Sequence, residues 1–380
     1  MTNPPLISVF LDGLRPDWLQ KMPFARSLAA PVSIRTEFGY SIACHASMYT
    51  GLSIQDHGLW FVWLRDPTRS PFNRWLERIP SPLDQIPTRL VMRKILLQRI
   101  PADLYPRGYF RVPRLINAPM RHWPGLWVSE QRFWDEDQYV SKPTIFELAR
   151  RSGVSLKTIG FHRGDQLASV REPLVDSDLC HDWYYIFMGA VDHAAHQTGG
   201  EGSHFDEVLL EVDKAVEARC GQIERAHGSF DFILWSDHGH LKATNPVDIY
   251  DRVDKRVMAS APHIIDTNFA RFWVAGKVRQ RLISMLENDV PEGHILTQEE
   301  MERYECWFPD GRYGDIIFYL DAPAVFTRTA WGFSRSQKSI HGYLPDNESM
   351  SAALVSTVPS PGVNSIRDIF GLHKSRLALD

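Results

Sequence analysis

The sequence predicts an α/β fold with a mainly parallel central sheet and helices on both faces. Three observations carry that expectation. Short apolar runs alternate with stretches of helical periodicity, as strand–helix–strand units require. Several runs are apolar at nearly every position, the pattern of strands covered on both sides. Three of them lead into an aspartate, at Asp12, Asp192 and Asp237. In open α/β sheets, ligands gather outside the carboxyl ends of the strands.

The elements follow in chain order. "LISVFLDG" (6–13) reads as a buried strand leaving the sheet on an acidic turn. "SIACHASMYTG" (41–51) has the composition of a polar turn ahead of a helix. Residues 61–140 break the rhythm: they are rich in Trp, Pro and Arg, with one or two helices expected around "PTRLVMRKILLQRI". "TIFELARRSGVSLKTIGF" (144–161) pairs a helix, a stop at Gly153 and a second strand. "WYYIFMGAVD" (183–192) is a strand closing on Asp192, and a polar loop is expected after it. The amphipathic helix "FDEVLLEVDKAVEARCGQIERAH" (205–227) then precedes the strand of "FDFILWSDHGH" (230–240). "DIIFYLD" (315–321) is a further strand. Domain organisation follows: 1–60 and 141–380 form the α/β body, and 61–140 is an inserted Trp/Arg-rich cap over its active end.

Bulk properties narrow the function classes. At 380 residues, 44% hydrophobic and 23% charged, the chain reads as globular, with room for one large domain or two ordinary ones. A formal charge of −4 offers no case for a nucleic-acid polymer as partner. No uninterrupted apolar run reaches the roughly 18 residues of a membrane span. "MTNPPLISVFLDGLRPDW" lacks a basic segment followed by a long apolar one, so a cytoplasmic location is expected. Cys44, Cys180, Cys220 and Cys306 lie far apart, which suits free thiols and neither a disulfide framework nor a zinc ribbon.

Chemistry concentrates at the predicted strand ends. Asp192 and His196 stand four apart, Asp237 and His238 are adjacent, and His341 lies in the polar segment "KSIHGYLPDNESM". With Asp12 they make a carboxylate–imidazole set suited to zinc, or to manganese. Each pair alone also reads as an ordinary turn. Six such ligands exceed one tetrahedral ion and suit two ions with open positions. Such a pair clamps the attacking and leaving oxygens of a displacement at phosphorus. The missing part is an oxygen nucleophile, for which the 41–51 stretch offers several side chains.

Together, "LDGLRPDWL", "SIACHASMYTGLSIQDHG", "DHAAHQTG", "SDHGH" and "IHGYLPDNESM" resemble the alkaline phosphatase superfamily, and within it the type I phosphodiesterase and nucleotide pyrophosphatase branch. The likeness spans about residues 5–60 and 141–360. It implies an alkaline phosphatase-like fold, with Asp12, Asp237 and His238 as ligands of one metal and Asp192, His196 and His341 of the other. Ser41, four residues before His45, falls on the nucleophile position and joins the metal ligands. The implied activity is two-metal hydrolysis of a phosphodiester or pyrophosphate bond of a small molecule through a covalent phospho-Ser41. Phosphomonoester or phosphonate hydrolysis, or phospho-group transfer, are the alternatives on that scaffold. Cys44 would suit a sulfatase, but "CHASM" is not the C-x-P-S-R motif of that family. His45, Ser47, Thr50 and His57 take structural positions by the same likeness, while His193 and His240 read as ligand neighbours or bystanders. The chain departs from the branch in carrying Ser41 for the commoner Thr, Ile54 for a Pro, and Val62 for an Asn twenty-one residues after the nucleophile. That last loss weakens a nucleotide substrate and leaves the metal chemistry intact.

Overall fold

The structure is a computed structural model and describes residues 4–72, 74–80, 83–98, 100, 106–108, 115, 117–160, 166–333 and 337–380. The chain forms two compact units: Met1–His57, Trp134–Lys242 and Lys338–Asp380 make the first, and Gly58–Phe133 with Ala243–Gln337 the second.

The first unit is built on a six-stranded sheet. Its strands are β1 (Leu6–Leu11), β2 (Val32–Ile34), β3 (Leu156–Ile159), β4 (Trp183–Met188), β5 (Asp231–Trp235) and β6 (Ala352–Ser356), in the order β2-β6-β5-β1-β4-β3. Strands β3, β4, β1 and β5 run parallel. The last-arriving β6 is antiparallel to both β5 and β2. The expected α/β class with a mainly parallel sheet is therefore the observed one.

Alternation along the strands sends side chains to two covered faces. On one face, Ile7, Val9, Leu11, Ile186 and Met188 share a buried cluster with Phe205, Leu209, Val212, Val216 and Ile223. The latter five come from one side of a 25-residue helix, Ser203–His227, whose polar residues take the opposite side. On the other face, the Phe10 ring meets His45 of α1 (Ser41–Thr50) at 5.4 Å. Trp183 stacks on Phe146 of α2 (Ile145–Arg151) at 5.4 Å. Trp235 meets His373 of the helix Asp368–Arg376 at 4.9 Å. Ser8 is the polar exception inside β1. Its hydroxyl accepts the Trp183 indole N–H at 2.8 Å and lies 2.8 Å from His373 Nε2, so its burial leaves no group wanting.

Two local expectations change. The 41–51 stretch is not a turn before a helix but the helix itself, α1, with all ten residues buried. Two of its hydroxyls are satisfied inside: Thr50 Oγ1 donates to the Ala46 carbonyl at 2.5 Å, and Ser47 Oγ lies 3.1 Å from His57 Nε2. The expected loop after β4 is also helical, α3 (Ala190–Thr198), closed by Gly199 at φ +86°. Its apolar stripe is only Val191, Ala194 and Ala195, too narrow to stand out among His, Gln and Thr.

The second unit has a core of its own. Phe269–Phe272 pairs antiparallel with His263–Ile265 and with Ile316–Leu320, and Gly293–Ile295 lines the far edge. Ala270, Phe272, Ile316 and Phe318 pack there with Leu282 and Leu286 of the helix Gly276–Asp289. "DIIFYLD" is thus a strand as expected, in this antiparallel sheet instead of the parallel one. A helix, Ile86–Leu97, lies in the stretch where one was expected. Much of the basic run beyond it (99, 101–105, 109–114 and 116) is outside the described residues.

The unit boundaries differ from the division at 61–140, because 243–337 groups with 58–133 instead of with the α/β body. The reason is packing between segments distant in sequence. Phe61 meets Phe269 at 4.9 Å, Trp60 meets Tyr313 at 6.1 Å, and the Arg271 guanidinium sits 4.2 Å over Phe61. Among the described residues no helix is long and apolar enough to cross a membrane.

Candidate active site

Neighbouring parallel strands bring their carboxyl ends together, and the chain places its acidic residues there. Asp12 follows β1 directly and its N–H bonds the Met188 carbonyl at the end of β4, at 3.0 Å. Asp237 and His238 come just after β5. Asp192 sits in the first turn of α3, where four-residue spacing puts His196 on the same face. Ser339–Ile340 pairs antiparallel with Leu241–Lys242, which returns His341 to the residues leaving β5. Ser41 is the first residue of α1. Gly13 makes the close approach possible: its φ is +70°, and a Cβ there would lie 2.7 Å from His240 Nε2 and 3.1 Å from Asp192 Cβ.

All seven expected residues meet in the first unit. Asp192 Oδ1 lies 3.3 Å from His196 Nε2 and 3.8 Å from His341 Nε2. His238 Nε2 lies 3.5 Å from Asp12 Oδ1, 3.3 Å from Asp237 Oδ2 and 3.1 Å from Ser41 Oγ. The His238 and His341 rings stack at 3.7 Å and link the two groups. Asp237 Oδ1 accepts two amides, from Gly13 at 3.2 Å and from His238 at 3.0 Å. Asp237 Oδ2 and Asp12 Oδ1 are buried with no hydrogen-bond partner.

Buried carboxylate oxygens without donors are costly, and the local electrostatics say so. Burial, then Asp237 and Asp192, hold the Asp12 carboxyl well above its ordinary range. Burial pushes Asp237 up to about 7, with Asp192 adding to it. Burial, then His238, lowers His45 to about 3 and holds His341 well below its usual value. His196 goes the other way: against the pull of burial, Asp192 raises it to about 9. A cation would relieve the crowded carboxylates, and oxygen plus imidazole donors fit zinc or manganese. His196 is oriented for that role, since its Nδ1–H donates to the Ser339 carbonyl at 2.7 Å and turns Nε2 toward Asp192, where a bound cation would displace the second proton.

Three trios bring ligand atoms within 4.8 Å of one another: Asp192, His196 and His341; Asp12, Asp192 and His238; and Asp12, His45 and Asp237. The first is one of the two expected sets; the other, Asp12 with Asp237 and His238, is not among the trios. The third contains His45, which the sequence reading treated as structural; its Nε2 lies 3.6 Å from Asp237 Oδ2. Helical spacing was the available signal, because His45 stands one turn beyond Ser41 on α1. Cys44 points elsewhere: its sulfur lies 3.5 Å from Thr36 Oγ1, and burial, then Asp237, holds the thiol well above its ordinary range. Such a thiol is a poor nucleophile. His193 is exposed and lies 2.9 Å from Gln197 Nε2, whereas His240 is buried against Asp192.

The family model for type I phosphodiesterase / nucleotide pyrophosphatase matches residues 6–344. Human ectonucleotide pyrophosphatase / phosphodiesterase 5 superposes with a TM-score of 0.68 at 15% identity, covering 100% of this chain and 96% of that one. The murine protein of that name superposes with a TM-score of 0.68 at 16% identity and the same coverages. An inactive form of the murine protein in complex with AMP gives 0.68 at 15% identity. At such identities the likeness is one of fold. A comparison with curated protein sequences returns no match.

Proposed function

The chain belongs to the type I phosphodiesterase / nucleotide pyrophosphatase family, and from that premise we propose that it hydrolyses a phosphodiester or pyrophosphate bond of a small molecule, using Ser41 and two divalent cations, zinc or manganese. One observation carries the reading: Asp12 Oδ1 and Asp237 Oδ2 are buried without a donor, and both face His238 beside the Ser41 hydroxyl. Asp192, His196 and His341 would hold one cation. Asp12, Asp237 and His238, with Ser41, would hold the other. When bound, such ions make a hydroxyl or water nucleophilic near neutral pH and stabilise charge on the transferring group.

The chain's own residues supply position. Ser41 Oγ opens a ten-residue helix, whose amino end favours an anionic phosphoryl group. Oγ forms a bond to phosphorus as the bond to the leaving oxygen breaks. Water then takes phosphorus from Oγ in a second in-line step, so configuration is retained overall. Burial lowers His45 and His238, so neither ring adds a positive charge beside Asp12 and Asp237.

A direct assay compares bis-p-nitrophenyl phosphate with p-nitrophenyl phosphate on the zinc- or manganese-loaded chain. Faster turnover of the diester, lost on chelation and restored by either metal, is the expected result. Faster turnover of the monoester would move the activity to phosphomonoesters, and no turnover with fewer than one ion per chain would overturn it. The cytoplasm is the proposed location, since all four cysteines are free, Cys180 exposed among them; cell fractionation tests it.

A further inference from the structure

His240 has no part in the ligand sets above, yet it is among the most confined side chains at the site. It is 1% exposed. Its Nε2 lies 2.9 Å from Asp192 Oδ1, closer than either His196 or His341. It does not join their trio, so it reaches the carboxylate from outside the group where those two nitrogens converge. The space it occupies exists because residue 13 has no Cβ. Trp18 stacks on the ring at 6.0 Å, and Arg15 Nη1 donates to the His240 carbonyl at 3.0 Å. The stretch after β1 therefore grips both the ring and its backbone.

Ser339 touches both imidazoles through different atoms. Its carbonyl accepts from His196 Nδ1 at 2.7 Å. Its hydroxyl donates to the Ala195 carbonyl at 2.7 Å, on the turn of α3 that carries His196, and lies 3.2 Å from His240 Nδ1. A neutral imidazole has one N–H, and the other nitrogen is an acceptor. His196 carries a proton on Nδ1 in either charge state, because that nitrogen faces a carbonyl. For His240 the stronger acceptor is the Asp192 carboxylate, so the proton belongs on Nε2 and Nδ1 faces the Ser339 hydroxyl.

We propose that His240 is a positioning residue that donates through Nε2–H to Asp192 and fixes this carboxylate for the cation held with His196 and His341. An oxygen of a carboxylate has more than one acceptor direction. Asp192 Oδ1 can take the His240 proton on one and keep another for the ion. The inference rests on the proposed role of Asp192 as a ligand.

The test is zinc titration of the metal-free chain, read calorimetrically, with nitrogen-15 spectra of its histidine rings. The wild-type chain is expected to bind two ions. His240→Ala should weaken one of the two by about 10–100-fold, the usual effect of losing a partner of a ligand, and leave the other within about 3-fold. His240→Gln, which retains an N–H at similar reach, should recover most of the loss. In the metal-free spectra His240 should carry its single proton on Nε2, and His196 should carry one on Nδ1. Equal two-ion binding by wild type and His240→Ala, or a His240 proton on Nδ1, overturns the proposal. If His240→Ala does not fold by circular dichroism, the tautomer of His240 in the wild-type chain decides it: a proton on Nε2 supports the proposal and one on Nδ1 overturns it. A wild-type chain binding fewer than two ions sinks the two-cation reading, while the tautomer measurement still judges the His240–Asp192 bond.

Discussion

Both units bury histidines, and only their carboxylates tell the two regions apart. In the second unit the His122 and His263 rings lie 4.6 Å apart. His263 Nδ1 is 2.7 Å from the Ala261 carbonyl and Nε2 is 3.0 Å from the Tyr250 hydroxyl. Burial lowers His263 to about 4 and His122 well below its usual value, much as it lowers His240 to about 4. The nearby buried acid, Asp266, is fully engaged, with Arg271 at 3.0 Å and the Trp331 indole N–H at 3.2 Å. In the first unit, Asp12 Oδ1 and Asp237 Oδ2 have no donor. Among the described residues every candidate cation trio lies in the first unit. A buried imidazole is compatible with plain packing, and so is a lone carboxylate oxygen without a donor, as at Glu292 of the second unit; two such oxygens facing one imidazole ask for a cation.

That contrast can be broken at several points. The largest effect is expected from Ser41→Ala: turnover of bis-p-nitrophenyl phosphate should fall by about 10⁴-fold or more, as for other lost nucleophiles, with near wild-type metal content by mass spectrometry. Full activity in Ser41→Ala together with none in Cys44→Ala would move the nucleophile to the thiol. Next, removing either buried acid should have opposite consequences for the metal-free chain. Asp266→Ala strands the Arg271 charge and should cost about 3–5 kcal/mol in denaturant titration, with metal binding unchanged in the folded protein. Asp237→Asn removes an uncompensated charge, so it should stabilise the metal-free chain by on the order of 1–3 kcal/mol while abolishing one of the two binding steps. Equal losses in the two variants would erase the distinction drawn between the units.

The smallest effect concerns pH. His263 and His373, lowered to about 4 by burial, stay neutral in the fold while the unfolded chain takes up protons near pH 6.5. Their contribution is therefore fully present above about pH 6.5 and is lost as pH falls toward 4. Asp237 opposes this: raised to about 7, it favours the fold at low pH and loses that contribution as pH climbs from its unfolded value through 7. His263→Gln should reduce proton uptake on unfolding at pH 5 by about one proton per chain, measured from the slope of stability against pH. An unchanged slope would mean that His263 is not held neutral.

Much of the first unit was legible in the residues. The runs at 6–11, 183–188 and 231–235 are strands because continuous apolar sequence of that length suits a strand covered on both faces. The position of Asp12, Asp192 and Asp237 just beyond them predicted where the site would gather. Periodicity failed where burial was complete or the apolar stripe thin. Every residue of α1 is inside, so His45 looked like part of a turn, and α3 has only three buried apolar positions.

By itself, then, the sequence determined the class of fold and singled out the six acidic and imidazole residues as candidates, since these follow from local runs and short spacings; Ser41 was implied by the family resemblance and not by spacing. Tertiary structure alone decided that 58–133 and 243–337 share a unit. It alone set Asp237 Oδ2 without a donor and placed Ser339 between His196 and His240. Those relations join atoms a hundred or more residues apart in some cases. No local pattern encodes them, because hydrogen-bond satisfaction is a property of what surrounds a group in space and not of its neighbours along the chain.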